Sequence, residues 1–317
     1  MIINHGFTGG LGHKYMSIMH SLSIAIAVGW NWYRKFISLS SFSVHLPLAF
    51  WNVTQSCFVK HQYTSRYIRT ASDQYRYPKT TTRTNCIHER MPLPLLLGNT
   101  NTVMIDCRMD ELIIFTDQFL HTLQHAGIIT HSQSFRDYRK LLFRTLLNPS
   151  ADIQHYIRLF KEQHYRNRTV LGIQIRMGGC NADRQEQMQM MSTKTLTTFP
   201  PMIRKLLKTM KRPVVYLATD SSFAERYLRK ALKGYSIITQ SEIFPRNHTS
   251  TAVTIDSIKG ALVDLILLAD SDYLIINKGS GFGYVAQQMT RAKKIIPFSV
   301  VHSKDPRYDV QLGKCVL

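Results

Sequence analysis

The sequence predicts an α/β protein built from two Rossmann-like domains facing across a cleft. Three observations carry that prediction. A chain of 317 residues suits two domains of about 150 residues each. The apolar opening Met1–Asn4 runs into Gly6, Gly9, Gly10 and Gly12, the strand and glycine-rich turn that begin a Rossmann half. Beyond Arg168, apolar strands alternate with helical patterns, which implies a parallel sheet covered on both faces. The expected domain boundary falls near Asn167.

The elements follow from periodicity. Ile18, Leu22, Ala25, Ile26 and Gly29 recur at helical spacing behind the first glycines. Phe58–Arg90 is polar, basic and rich in tyrosine, and reads as a long loop or insertion. Helices are expected at Asp117–Ala126, Phe135–Leu147 and Ala151–Tyr165. In the second half the predicted order is strand Val170–Met177, helix Leu196–Met210, strand Val214–Thr219, helix Ser222–Leu232 and strand Tyr235–Thr239. Helix Ile258–Ala269, strand Tyr273–Asn277, helix Phe282–Met289 and strand Lys294–Pro297 complete it. Pro200 and Pro201 are expected at or near the start of their helix, where a missing N–H costs least.

Composition narrows the partners. Forty Lys and Arg against twenty Asp and Glu leave a net charge of +20, which favours nucleotide phosphates, nucleic acid or an anionic membrane surface. The five cysteines are scattered and never form a CxxC pair, which argues against a disulfide framework or a zinc site. No stretch reads as a signal peptide or a membrane span, so a complete chain is expected in the cytoplasm. A fragment of a membrane-anchored enzyme would instead belong in the Golgi or endoplasmic reticulum lumen. The tyrosine-rich stretch, with Tyr63, Arg66, Tyr67, Arg69, Tyr75, Arg76 and Tyr77, could stack on single-stranded nucleic acid, support a sugar or simply face solvent. No nucleic-acid motif accompanies it, so nucleic acid is the weakest of these partners.

Four places carry chemistry. On the strand Val170–Met177, alternation puts Gly172, Gln174 and Arg176 on one face. A guanidinium at the strand's exit suits a pair of phosphate oxygens; a structural Arg–carboxylate pair is the competing reading. Asp264 lies mid-helix among apolar neighbours, where a carboxylate needs hydrogen-bond donors. The Watson–Crick edge of guanine offers two; an exposed helix face or a lysine partner is the plainer explanation. The turn Gly279-Ser280-Gly281-Phe282-Gly283 joins a strand to a helix and could cradle a phosphate. Asp220 either accepts from a ribose hydroxyl or starts the next helix. Asp270-Ser271-Asp272 spells DxD but falls at a helix end leading into a strand, so it reads as a turn and no metal is expected there.

Taken in order, Gly9-Gly10-Leu11-Gly12-His13, Gly172-Ile173-Gln174-Ile175-Arg176, Leu217-Ala218-Thr219-Asp220 and the block Ala261 to Ala286 resemble the GT-B-fold fucosyltransferase superfamily. That superfamily includes α1,2-, α1,6- and protein O-fucosyltransferases, and the nearest likeness is to the plant xyloglucan-type branch. The resemblance covers the first thirty or so residues and roughly Val170–Pro297. It implies a GT-B-like fold, with residues 1–167 as the acceptor-binding domain and 168–317 as the GDP-sugar-binding domain. It further implies that Arg176 binds the β-phosphate of GDP-fucose, that Asp264 reads guanine, and that Ser280, Gly281 and Phe282 hold the diphosphate. Gln174 stands where many members carry His, His13 where many carry Asn beside the sugar, and Gly281 where Thr is commoner.

The function so implied is an inverting, metal-independent transfer of fucose from GDP-fucose to a glycan or glycoprotein hydroxyl, with no further cofactor. No carboxylate in these motifs announces itself as a base; Asp106, Asp110 and Glu111 are the candidates in the N-terminal half. A GT-B enzyme using another nucleotide sugar is the first alternative. A catalytically inactive glycan- or polyanion-binding protein is the second.

Overall fold

The computed structural model describes residues 2–4, 19, 23, 32–34, 81–83, 102–105, 117–125, 127–146, 149–177, 191, 193–240, 255–277 and 280–298. The chain divides into two units, one of Met1–Leu39 with His45–Asn148 and one of Ser40–Val44 with Pro149–Leu317. The first unit holds a four-stranded parallel sheet of β1 (Ile2–Asn4), β2 (Trp32–Arg34), β3 (Thr81–Arg83) and β4 (Thr102–Ile105), in the order β2-β1-β4-β3. β3 falls inside the stretch expected to be loop. Its two β-branched threonines favour extended backbone, and it pairs with β4 from Thr81↔Thr102 to Arg83↔Met104.

Two helices follow, α1 (Asp117–His125) and α2 (Phe135–Leu146). Phe119 of α1 meets Tyr138 of α2 edge-on at 5.6 Å, and the Tyr138 hydroxyl bonds Ser23 at 3.0 Å. Burial pushes that phenol up to about 12 despite the serine.

The second unit is a five-stranded parallel sheet: β5 (Thr169–Ile175), β6 (Pro213–Thr219), β7 (Ser236–Ile238), β8 (Tyr273–Asn277) and β9 (Lys294–Phe298). The order β7-β6-β5-β8-β9 places the reversal of chain direction across the sheet between β5 and β8. Doubly wound sheets bind ligands outside the carboxyl ends of the strands at that position.

The pleat sorts the side chains. Leu171, Ile173 and Ile175 of β5 join Val215, Leu217 and Ile275 beneath α4 (Thr193–Leu207) and α5 (Ser222–Ala231) in one fully apolar cluster. The alternate face carries Gly172, Gln174 and Tyr216, and packs against α3 (Ala151–His164), α6 (Ile255–Ala269) and α7 (Gly281–Met289). Gly172 lets the end of α6 and the residues after it lie close: a Cβ there would sit 2.5 Å from Ser271 Oγ and 3.3 Å from Leu268 Cδ2.

Two expectations shift. Helix α3 falls in the second unit, whose long segment runs from Pro149, whereas the sequence puts the boundary near Asn167. The cause is packing: the Tyr165 hydroxyl donates to the Leu267 carbonyl at 3.1 Å, Lys161 pairs with Asp270 at 2.8 Å, and Phe160 meets Tyr216 edge-on at 5.8 Å. Helix α4 begins at Thr193, so Pro200 and Pro201 lie inside it rather than at its start. Each forgoes one helical N–H bond, while the helix buries Leu196, Phe199, Ile203 and Leu207. Among the described residues no helix is long and apolar enough to cross a membrane.

Candidate active site

The carboxyl rim of the second sheet gathers several of the residues singled out by sequence. β5 ends at Ile175, so Arg176 is the first residue beyond the strand. Its backbone is clamped on both sides: the Arg176 carbonyl accepts from the Met191 N–H at 2.7 Å, and the next N–H, that of Met177, donates to Asp220 Oδ1 at 2.8 Å. Asp220 thereby ties the end of β6 to the end of β5. It does not cap α5. That cap is Ser221, whose hydroxyl accepts from the Ala224 N–H at 3.2 Å.

Gln174, two residues before Arg176, is only 4% exposed, and both ends of its amide are used. Nε2 donates to Ser280 Oγ at 3.3 Å, and Oε1 accepts from the Asn277 N–H at 3.1 Å. The side chain thus bolts β5 to the turn between β8 and α7. Ser280 in turn caps α7, its hydroxyl accepting from the Gly283 N–H at 3.3 Å and its carbonyl from the Tyr284 N–H at 2.9 Å. The first N–H groups of a helix have no intrahelical acceptor. With those of Gly283 and Tyr284 met by Ser280, the N–H groups of Gly281 and Phe282 open the helix with the positive end of its dipole behind them. Two residues of strand, ~7 Å, separate the bolt from Arg176. Arg176 and a helix N-terminus therefore both stand at the switch point, residue types that suit an anion.

Gly283 makes the bolt possible. A Cβ at this position would lie 2.8 Å from Gln174 Oε1 and 3.3 Å from Ile276 Cβ. Gly283→Ala should therefore cost roughly 1–3 kcal/mol of stability, the range for overpacking a filled site, read as a lower urea midpoint. An unchanged midpoint would show that Gln174 moves aside freely.

Asp264 finds a partner on β6. It is half-buried, and its Oδ1 accepts from the Tyr216 hydroxyl at 2.5 Å. Tyr216 is fully buried, and burial together with the neighbouring Asp264 charge holds its phenol well above its ordinary value. In register Tyr216 stands opposite Gly172, four residues or ~13 Å of strand before Arg176. One carboxylate oxygen is thus committed to a protein donor, the hydroxyl of mid-sheet Tyr216. Sequence reasoning missed Tyr216, although it is the one hydroxyl between Val214 and Ala218.

The DxD sits at the opposite, amino end of the sheet. Asp270 is paired with Lys161, Asp272 Oδ2 accepts from the Val170 N–H at 2.9 Å, and the Ser271 hydroxyl donates to the Leu267 carbonyl at 3.0 Å. These bonds make it a helix-to-strand turn. Among the described residues no three His, Cys, Asp or Glu side chains gather as a metal site. Gly10, Gly12, His13, Gly279 and the candidate bases Asp106, Asp110 and Glu111 lie outside the described residues, as does the tyrosine-rich stretch before β3.

No protein-family model matches the sequence, and no curated protein matches it either. Solved structures do. The fucosyltransferase NodZ from Bradyrhizobium aligns over 91% of this chain and 93% of its own, with a TM-score of 0.55 at 16% identity. A mutant of Arabidopsis thaliana FUT1 in complex with GDP aligns over 96% of this chain and 71% of its own, with a TM-score of 0.64 at 11% identity. The fold is that of the GT-B fucosyltransferases. POFUT1 in complex with GDP aligns over 94% of this chain and 97% of its own, with a TM-score of 0.50 at 12% identity. The rim of the C-terminal unit holds Gln174, Arg176, Asp220 and Ser280.

Proposed function

We propose that the protein is an inverting glycosyltransferase that moves fucose from GDP-fucose to a glycan hydroxyl. The observation that carries this reading is the Ser280-capped start of α7 at the β5/β8 switch point, where Arg176 is the first residue beyond β5. Oriented N–H groups with an arginine nearby would supply donors for a diphosphate. The choice of GDP-fucose rests on the fold neighbours: NodZ co-crystallised with GDP and soaked with GDP-fucose, and FUT1 bound to GDP. A net charge of +20 suits an anionic donor and a glycan acceptor presented at an anionic membrane surface.

In the reaction the bond between the sugar's anomeric carbon and the β-phosphate oxygen breaks as the acceptor oxygen attacks from the opposite face. The departing GDP takes the bonding electrons. Charge therefore grows on the β-phosphate, and donors already aimed there lower the barrier without reorganising. Arg176 would bind that phosphate through its planar fork, and the Gly281 and Phe282 N–H groups would share the load. Gln174 acts through Ser280, as a positioning residue. Asp220 stands at the rim where a ribose hydroxyl would lie. The acceptor's proton leaves to a base or to solvent.

No divalent cation enters this scheme, and both DxD carboxylates are already engaged by Lys161 and the Val170 N–H. Turnover is accordingly expected to persist in EDTA; a strict requirement for Mn²⁺ or Mg²⁺ would refute the metal-free scheme. The donor is tested by thermal shift. GDP should raise Tm at concentrations where UDP and ADP leave it near the apo value, because only a nucleotide that binds the folded state stabilises it. A larger shift with UDP would favour the reading as a GT-B enzyme for another nucleotide sugar.

A further inference from the structure

Much of the second unit's exposed positive charge stands at one end, opposite the donor rim. In a parallel sheet every turn that leads from a helix into a strand lies at the amino end of the strands. Four such turns carry exposed cations: Arg166 and Arg168 before β5, Lys208 and Lys211 before β6, Lys233 before β7, and Lys293 before β9. Cations elsewhere in the unit are matched. Lys161 meets Asp270, Arg229 meets Glu225 at 2.7 Å and Lys259 meets Asp152 at 3.6 Å. None of the six has an ion-pair partner among the described residues. Glu162, in the last turn of α3, is an exposed acid near them. Asp270 and Asp272, in the fifth turn, are already engaged by Lys161 and the Val170 N–H. Like charges gathered in this way repel one another and oppose the compact state until something anionic meets them.

We propose that the amino end of the second sheet is a docking face for an anionic lipid membrane. This assigns a place on the molecule to a contact that the net charge of +20 suggests only in general. The shape favours a plane. The order β7-β6-β5-β8-β9 spreads these turns across four interstrand spacings, ~19 Å. Helices α4 and α5 deliver their cations from one face of the sheet, α3 and α7 from the other. A plate charged in two dimensions matches a surface of headgroups, whereas a single polyanionic thread would meet only one row of it. The chemistry agrees as well. Lysines are compact point charges, suited to diffuse attraction by many headgroups more than to a bidentate grip on one. No exposed aromatic ring stands in these turns to stack on a nucleic-acid base. In this orientation the donor rim stands seven residues of β5, or ~23 Å, from the docked end, so lipid does not cover it. The proposal holds whichever nucleotide sugar that rim takes.

The test is co-sedimentation of the full chain with vesicles, one set of phosphatidylcholine alone and one of phosphatidylcholine and phosphatidylserine, two to one. The wild type should pellet with the mixed vesicles at low salt, ignore the neutral ones, and be released as salt screens the charges. Each lysine near such a surface strengthens binding about fivefold. Lys211→Gln combined with Lys293→Gln, one from each side of the sheet, should therefore bind the mixed vesicles about thirtyfold more weakly. Arg158→Gln combined with Arg226→Gln removes the same charge from the middle of α3 and α5, and should bind nearly as the wild type does. Equal loss in the two variants would show that net charge drives the binding, and would overturn the assignment. A wild type indifferent to phosphatidylserine would overturn it too. Retention on heparin that only the Lys211/Lys293 variant loses, without vesicle binding, would give the face to a soluble polyanion instead. No nucleotide enters the assay, so its failure leaves the donor reading standing.

Discussion

Replacing Arg176 with lysine is expected to leave the protein folded and to remove most of its activity. Lysine keeps the charge but loses the planar fork that meets two phosphate oxygens at once. The position is also unusually fixed. Met191 holds the Arg176 carbonyl, Asp220 holds the N–H that follows, and the Gln174–Ser280 bolt lies two residues behind. A guanidinium on so rigid a backbone needs little reorganisation when the leaving charge develops. Losing one such stabilising group typically costs roughly two to three orders of magnitude in rate. The variant's Tm should match that of the wild type, and the loss should appear in kcat more than in KM if the contact strengthens as GDP departs. Wild-type turnover in a folded Arg176→Ala protein would show that the arginine is only structural.

The second large effect concerns Asp264 and Tyr216, and it is expected in stability rather than in donor choice. Asp264→Ala leaves a fully buried hydroxyl without its acceptor. Removing a hydrogen bond to a charged group costs about 1.5–3 kcal/mol. Tyr216→Phe removes the other partner, so the double variant should be less destabilised than the sum of the two singles. Urea denaturation of the four proteins measures that coupling; strictly additive losses would mean the bond contributes nothing. The same variants separate this role from the one suggested by sequence resemblance. Folded Asp264→Asn should keep the wild-type preference for GDP over UDP. Loss of that preference would restore Asp264 as the reader of guanine.

How far the sequence carried can be judged from these residues. Alternation along Val170–Ile175 is a local property, and it set Gly172 and Gln174 on one face because period-two geometry needs no tertiary information. The strand-to-helix turn at Ser280 was legible for the same reason, since capping is a matter of a few consecutive residues. Asp264 was legible as an oddity but not as a partner: its donor lies 48 positions away on β6, a pairing that exists only once α6 is laid across the sheet. Helix α3 was recognised as a helix, but its attachment to the second unit depends on Phe160, Lys161 and Tyr165 reaching residues of β6 and α6. The prolines of α4 misled because propensity placed them at a helix start, whereas the apolar face from Leu196 to Leu207 outweighed the two lost backbone bonds.

The central claim, transfer from GDP-fucose, is tested most directly by mixing the purified protein with GDP-fucose alone and following nucleotide release. A site that stabilises departing GDP should leak some donor to water even without an acceptor, because the charge that builds on the β-phosphate is the same. The account predicts slow release of GDP from GDP-fucose that falls by roughly two orders of magnitude in Arg176→Lys. Little or no nucleotide should be released from UDP-sugars. Release of UDP from a UDP-sugar with GDP-fucose left intact would contradict it.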